Sequence, residues 1–105
     1  MFDFAKVQPR TLEVKLLDGR VLNLTTPTKK GVDQFVETYK TAEKTNVGKP
    51  ETVKKLYAAF ADTLSINAEG VKITAEDLGD YSLDCVLDFV VEYANFIVRA
   101  TSDPN

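Results

Sequence analysis

Apolar residues recur along this chain with two periods, and the change from one to the other divides it. Residues 11–24, TLEVKLLDGRVLNL, alternate about Asp18-Gly19 in the pattern of a β-hairpin. A two-residue Asp-Gly loop would set Lys15 opposite Leu22 and Glu13 opposite Leu24, mixing charge with apolar groups on both faces. A three-residue loop of Leu17, Asp18 and Gly19, with Gly19 left-handed in a G1 bulge, sets Val14 opposite Leu22 and Leu12 opposite Leu24. One face is then apolar, so the bulged register is predicted. Two strands alone are marginal, and helices must cover that face. Ahead of the hairpin, residues 1–10 should be loosely ordered, with Phe2, Phe4 and Val7 pinning them to the body and Pro9 opposing a helix.

From residue 28 the period becomes helical. Pro27 ends the second strand, and Thr28 is placed to cap a helix reaching about Lys44, with Val32, Phe35, Val36, Tyr39 and Ala42 on a narrow buried stripe. Asn46-Val47-Gly48 should stop it. Pro50 suits the first turn of a second helix, whose stripe is Val53, Leu56, Tyr57, Phe60 and Leu64. The two should form an antiparallel pair. Residues 65–73 read as a turn and a short extended piece. Thr74 and Asp77 have capping-box spacing for one helical turn ended by Gly79, and Ser82 caps a last helix over 82–101. Residues 102–105 should fray. The predicted fold is α+β: a single domain over 1–105, with a hairpin at 11–24 and a helical part at 28–101, its three main helices supplemented by one short turn.

The last helix has more apolar surface than one contact face needs. Advancing ~100° per residue, Leu83, Val86, Leu87, Val90, Tyr93, Ala94 and Ile97 share a face, and Asp84, Asp88, Glu92, Asn95 and Arg99 oppose it. Cys85, Phe89 and Phe96 extend one edge of that face; Val91 and Val98 extend the other. The apolar arc spans roughly 240°, against the ~100° or more of one-sided packing. Such a helix is either enclosed on several sides or offers an edge to another chain. Phe89, Val91, Phe96 and Val98 are therefore the candidate partner-binding residues.

Composition narrows the chemistry. Hydrophobic residues make up 44% and charged residues 28%, an ordinary globular mixture. No apolar run approaches the ~18 residues of a membrane span, and the first residues lack a signal peptide's basic start and long apolar stretch, so a cytoplasmic protein is expected. A single cysteine agrees with a reducing compartment. Histidine is absent, which removes the commonest general base and metal ligand. Net charge is −3, yet residues 1–57 carry 11 Lys and Arg against 7 Asp and Glu, whereas residues 58–105 carry 2 against 9. The basic and acidic halves can complement each other within the fold, across an oligomer, or toward an acidic partner.

Four groups invite a chemical reading. In the loop over 65–76, Asn67, Glu69, Gly70 and Glu76 match EF-hand positions, but Ser65 holds the first position, where a calcium loop needs aspartate. Glu76, Asp77, Asp80 and Asp84 suit helix starts better than an acid–base pair. Cys85 sits near a helix N-terminus beside Asp84 and Asp88, with no base available, and reads as a small semi-buried apolar residue. Lysines 29, 30, 40, 44, 49, 54 and 55 could form a basic face for nucleic acid, but Tyr39 and Tyr57 fall on buried stripes, away from any stacking role. No catalytic residue, cofactor or metal is assigned from these groups.

Two stretches, RTLEVKLLDGRVLNL over 10–24 and VVEYANFIVRATSDPN over 90–105, resemble the tail assembly chaperones of long-tailed bacteriophages of Gram-positive hosts. These are small proteins with the hairpin first and helices after. The resemblance implies a non-enzymatic role in the host cytoplasm: binding the tape-measure protein, keeping it soluble and aiding recruitment of the tail-tube protein, with absence from the mature virion. It carries no functional residue onto a numbered position here. A small nucleic-acid-binding regulator and a structural head–tail joining protein are the alternatives, and self-association is compatible with each.

Overall fold

The hairpin forms in the bulged register. β1 (Thr11–Lys15) and β2 (Val21–Thr25) run antiparallel, with Val14 opposite Leu22 and Leu12 opposite Leu24. The Gly19 N–H donates to the Leu16 carbonyl at 2.9 Å and the Leu16 N–H to the Arg20 carbonyl at 2.8 Å, closing a three-residue loop. Gly19 has φ +94°, a conformation that a side chain would strain. Leu16, Leu22 and Leu24 are buried on the inner face and Leu12 and Val14 half-buried, while Glu13 and Lys15 point outward.

Three helices follow in this computed structural model, which describes residues 1–8, 10–44 and 49–102, the side chains of 41–44 and 101–102 excepted. The fold is α+β, with α1 (Lys29–Lys44), α2 (Pro50–Leu64) and α3 (Leu83–Ser102). Sequence expectations for Pro9, for the side chains of Ala42 and Lys44, for Asn46-Val47-Gly48 and for residues 103–105 lie outside the described residues. The caps explain where the helices begin. Thr28 Oγ1 accepts the Gly31 N–H at 3.2 Å, Pro50 opens α2, and Ser82 Oγ accepts the Cys85 N–H at 3.3 Å. Thr74 and Asp77 form the capping box: Asp77 Oδ2 accepts the Thr74 N–H at 2.9 Å and Thr74 Oγ1 accepts the Asp77 N–H at 3.3 Å. The turn they hold is a 3-10 turn, Glu76–Leu78.

The core lies where the hairpin's inner face meets α2 and α3. Leu22, Leu24, Leu64, Leu78, Val86 and Tyr93 are its most deeply buried side chains. Tyr81 ties three parts together. Its hydroxyl accepts the Leu17 N–H at 2.9 Å, its carbonyl accepts the Tyr57 hydroxyl at 2.6 Å, and its ring meets Phe60 edge-on at 5.7 Å.

The 65–73 segment does more than connect. The Thr25 N–H donates to the Ile66 carbonyl and the Ala68 N–H to the Asn23 carbonyl, each at 2.9 Å, so residues 66–68 cover the outer edge of β2. That satisfies backbone groups an open edge would leave exposed. Two side chains fold the segment: Ser65 Oγ accepts the Ile73 N–H, and Asn67 bonds both backbone groups of Val71 and the Leu64 carbonyl.

Two expectations are corrected. Phe2, Phe4 and Val7 do not pin the N-terminus to the body: all three are exposed, and residues 1–8 project as an arm with one 3-10 turn, Phe4–Lys6. On α1, Val36 and Tyr39 are exposed rather than buried, while the ring of Phe35 reaches Tyr93 of α3, at 5.1 Å, and turns its line of the helix inward.

Candidate protein-binding surface

The two edges of α3 have different fates. Phe96 is enclosed, 4% exposed. Phe89 is half-buried, its ring 5.1 Å from Phe60 and 5.6 Å from Tyr93. Val91 and Val98, on the other edge, are 57% and 58% exposed. Leu87, expected near the middle of the contact face, is exposed as well. The buried face is centred on Val86, Val90, Tyr93 and Phe96, rotated toward the phenylalanines by less than one ~100° residue step.

Side-chain area accounts for the rotation. Each aromatic side chain buries about 150–250 Å², more than a valine offers, and ring pairs add about 0.5–1.5 kcal/mol beyond area. Rotating α3 to enclose Phe89, Tyr93 and Phe96 joins them with Phe35 and Phe60 in one cluster. Leu87, Val91 and Val98 are the smaller group, and they are left outside. A surface offered by the folded chain uses Val91 and Val98 rather than the two phenylalanines.

The exposed residues have a definite geometry. Leu87, Val91, half-buried Ala94 and Val98 follow one another at four-, three- and four-residue steps, the spacing of a coiled-coil seam. Along one side runs an exposed acidic strip, Asp84, Asp88 and Glu92, with Arg99 3.9 Å from Glu92 near its end. The arrangement is an apolar ridge about three turns long beside negative charge. It can receive a ridge of similar pitch and favours basic flanks on whatever it meets.

Groups with candidate chemistry are engaged structurally. Glu69 accepts the backbone and side-chain N–H groups of Asn23, both at 2.9 Å, which lowers its pKa. Asn67 is consumed by the hydrogen bonds that fold its own loop. The Asp77 pKa is lowered chiefly by the Thr74 N–H, and that of Asp18 chiefly by the Arg20 N–H. Cys85, read as semi-buried, is exposed and 3.3 Å from Ser82 Oγ. Among the described residues no cluster of three or more metal-ligating side chains forms. A cavity between α1, α2 and α3 is about 20 Å³ and lined by apolar groups such as Leu56, Phe60 and Phe89, no larger than a water molecule needs. Among described helices none is long and apolar enough to cross a membrane. Among the described residues one side-chain atom stands apart: the Tyr93 hydroxyl is buried without a hydrogen-bond partner, and burial pushes its pKa up to about 12.

No known family profile matches the chain, and no curated protein or solved structure is significantly similar to it. Leu87 was the surface residue missed from the sequence. Its signal was present in the seam spacing to Val91 and Val98, which a division into central face and edges obscures.

Proposed function

We propose that this chain is a non-enzymatic phage tail assembly chaperone that binds a tape-measure protein and aids recruitment of tail-tube subunits in the cytoplasm of the bacterial host. The observation that carries the reading is the exposed Leu87–Val91–Val98 ridge on α3. A ridge at helical spacing suits a long, helix-rich client, whose apolar seams would otherwise meet each other before assembly. The resemblance of residues 10–24 and 90–105 to such chaperones is the ground for proposing a tape-measure client, and the acidic strip would favour client helices flanked by Lys and Arg. The protein then acts by covering surface, with no bond made or broken. Co-expression with the tape-measure protein of the same genome tests this. The two should co-purify and the client should gain solubility; an insoluble client and an unbound partner would refute the proposal.

A second reading rests on one observation. Tyr39 is exposed on α1, the helix that carries Lys29, Lys30 and Lys40. A nucleic-acid-binding regulator would bind DNA or RNA at low salt and weaken steeply as salt rises. Absence of binding at low salt eliminates it.

A further inference from the structure

Among the described residues the arm over 1–8 is the most solvent-exposed apolar segment, and it is ordered by itself. The Ala5 N–H donates to Asp3 Oδ1 at 2.9 Å and the Lys6 N–H to the Asp3 carbonyl at 3.0 Å. This turn sets the rings of Phe2 and Phe4 edge to face, 4.9 Å apart. Phe2 is 71% exposed and Phe4 86%, so the pair is a preformed aromatic knob that touches little of its own body. Aromatic anchors of this kind bind by filling pockets, and preorganisation lowers the entropy lost on docking.

The same molecule has an open groove of about 590 Å³ between α1 and α2, walled by Phe35, Thr38 and Ile66 and floored by the small side chains of Ala58 and Ala59. It has room for both rings. Lys6, two residues beyond Phe4, makes no ion pair within the described chain; Asp62, on the groove wall, makes none either. The exposed lining of the groove is mainly apolar, like the knob, and its charged rim sets Asp33, Glu37 and Asp62 against Lys30 and Lys55, so Lys6 meets a rim of net negative charge.

We propose that the arm of one copy docks Phe2 and Phe4 into the α1–α2 groove of a second copy, with Lys6 meeting Asp62. Each chain carries one knob and one groove, so the contact is either exchanged between two copies or repeated head to tail. Two rings supply about 300–500 Å² of apolar surface. Exchanged twice, the rings supply about 600–1,000 Å² and the groove surface they cover adds to it, which places the contact at the small end of specific interfaces, so association should be reversible and concentration-dependent.

Sedimentation equilibrium up to about 100 µM, where an interface of this size associates, provides the test. The wild type should self-associate, and Phe2→Ser/Phe4→Ser should weaken association about tenfold or more while leaving the thermal midpoint unchanged. Ala58→Arg should do the same from the groove side, with Asp62→Lys as a second groove variant. Mixing the arm variant, which retains its groove, with a groove variant, which retains its arm, leaves a single arm–groove contact, so the mixture should associate more weakly than the wild type and form nothing larger than a 1:1 dimer. A monomeric wild type overturns the proposal. So does an arm variant that associates like the wild type, or a mixture that forms species larger than a dimer.

Discussion

Replacing Tyr93 by phenylalanine is expected to stabilise the protein by about 1–2 kcal/mol. The residue is 1% exposed, and its ring lies 5.1 Å from Phe35, 5.6 Å from Phe89 and 5.9 Å from Phe96. Phenylalanine retains all three contacts. What it removes is a hydroxyl buried without a partner, a group whose desolvation costs about 1–3 kcal/mol. Urea titration followed by circular dichroism measures the difference, and in heating a gain of 1 kcal/mol should appear as a rise of about 4–8 °C. The comparison has a second axis. An unfolded tyrosine loses its proton near 10.0, whereas Tyr93 in the folded chain holds its proton up to about 12. Between those values the unfolded state binds fewer protons, so stability is complete below pH 10 and declines as pH rises toward 12. The decline contributed by this group is at most about 2.7 kcal/mol. Tyr93→Phe lacks that contribution, so its advantage over the wild type should widen above pH 10. A variant less stable than the wild type at pH 7 by more than about 0.5 kcal/mol would refute the reasoning, because it would mean the hydroxyl has a partner such as a buried water.

Val91→Lys/Val98→Lys should leave stability within about 0.5 kcal/mol, since lysine propagates a helix better than valine and both sites are exposed. It should abolish co-purification with the client protein; undiminished capture would clear the α3 ridge of any role. Asn67→Ala should destabilise by about 3 kcal/mol in urea titration, because the Leu64 carbonyl and both backbone groups of Val71 lose their partner. Glu69→Gln should lower stability at neutral pH. It should also flatten the acid limb: the Glu69 pKa is held below 4.5, so its contribution is present above that value and is lost as pH falls through the lowered one. Parallel melts of wild type and variant between pH 7 and pH 3 read both effects.

Local chemistry made much of the fold legible in the sequence. The hairpin register follows from keeping Leu12, Val14, Leu22 and Leu24 on one face, and the helix starts follow from Thr28, Pro50, Thr74 and Ser82. What depended on competition between surfaces was harder to read. Periodicity draws the apolar arc of α3 but does not weigh a phenylalanine against a valine, so it could not tell that Phe96 goes inside and Leu87 stays out. The 65–73 loop has calcium-like spacing, yet its side chains serve backbone groups brought near only by tertiary folding. Nor could pattern alone reveal that the arm stands clear of the body, because Phe2, Phe4 and Val7 are as apolar as a buried segment.

The arm, the α1–α2 groove and the α3 ridge together imply two contacts that share no residue. Ala58 and Asp62 line the groove and lie on α2, whereas Leu87, Val91 and Val98 lie on α3 outside it. If the arm fills the groove and the ridge meets a client helix, the two events should be energetically independent, since mutations without shared partners add to within about 0.3–0.5 kcal/mol. Val91→Lys/Val98→Lys should therefore leave the self-association constant unchanged, and Phe2→Ser/Phe4→Ser should leave the affinity of each chain for the client unchanged. A client with several seams would nevertheless bind an oligomer more tightly than a monomer, because linked copies raise one another's effective concentration. The combined test is client affinity measured with single-seam and multi-seam fragments. The arm variant should match the wild type on the first and fall behind it on the second. Equal loss on both fragments would mean that the arm contacts the client directly, and the division into two surfaces would be wrong.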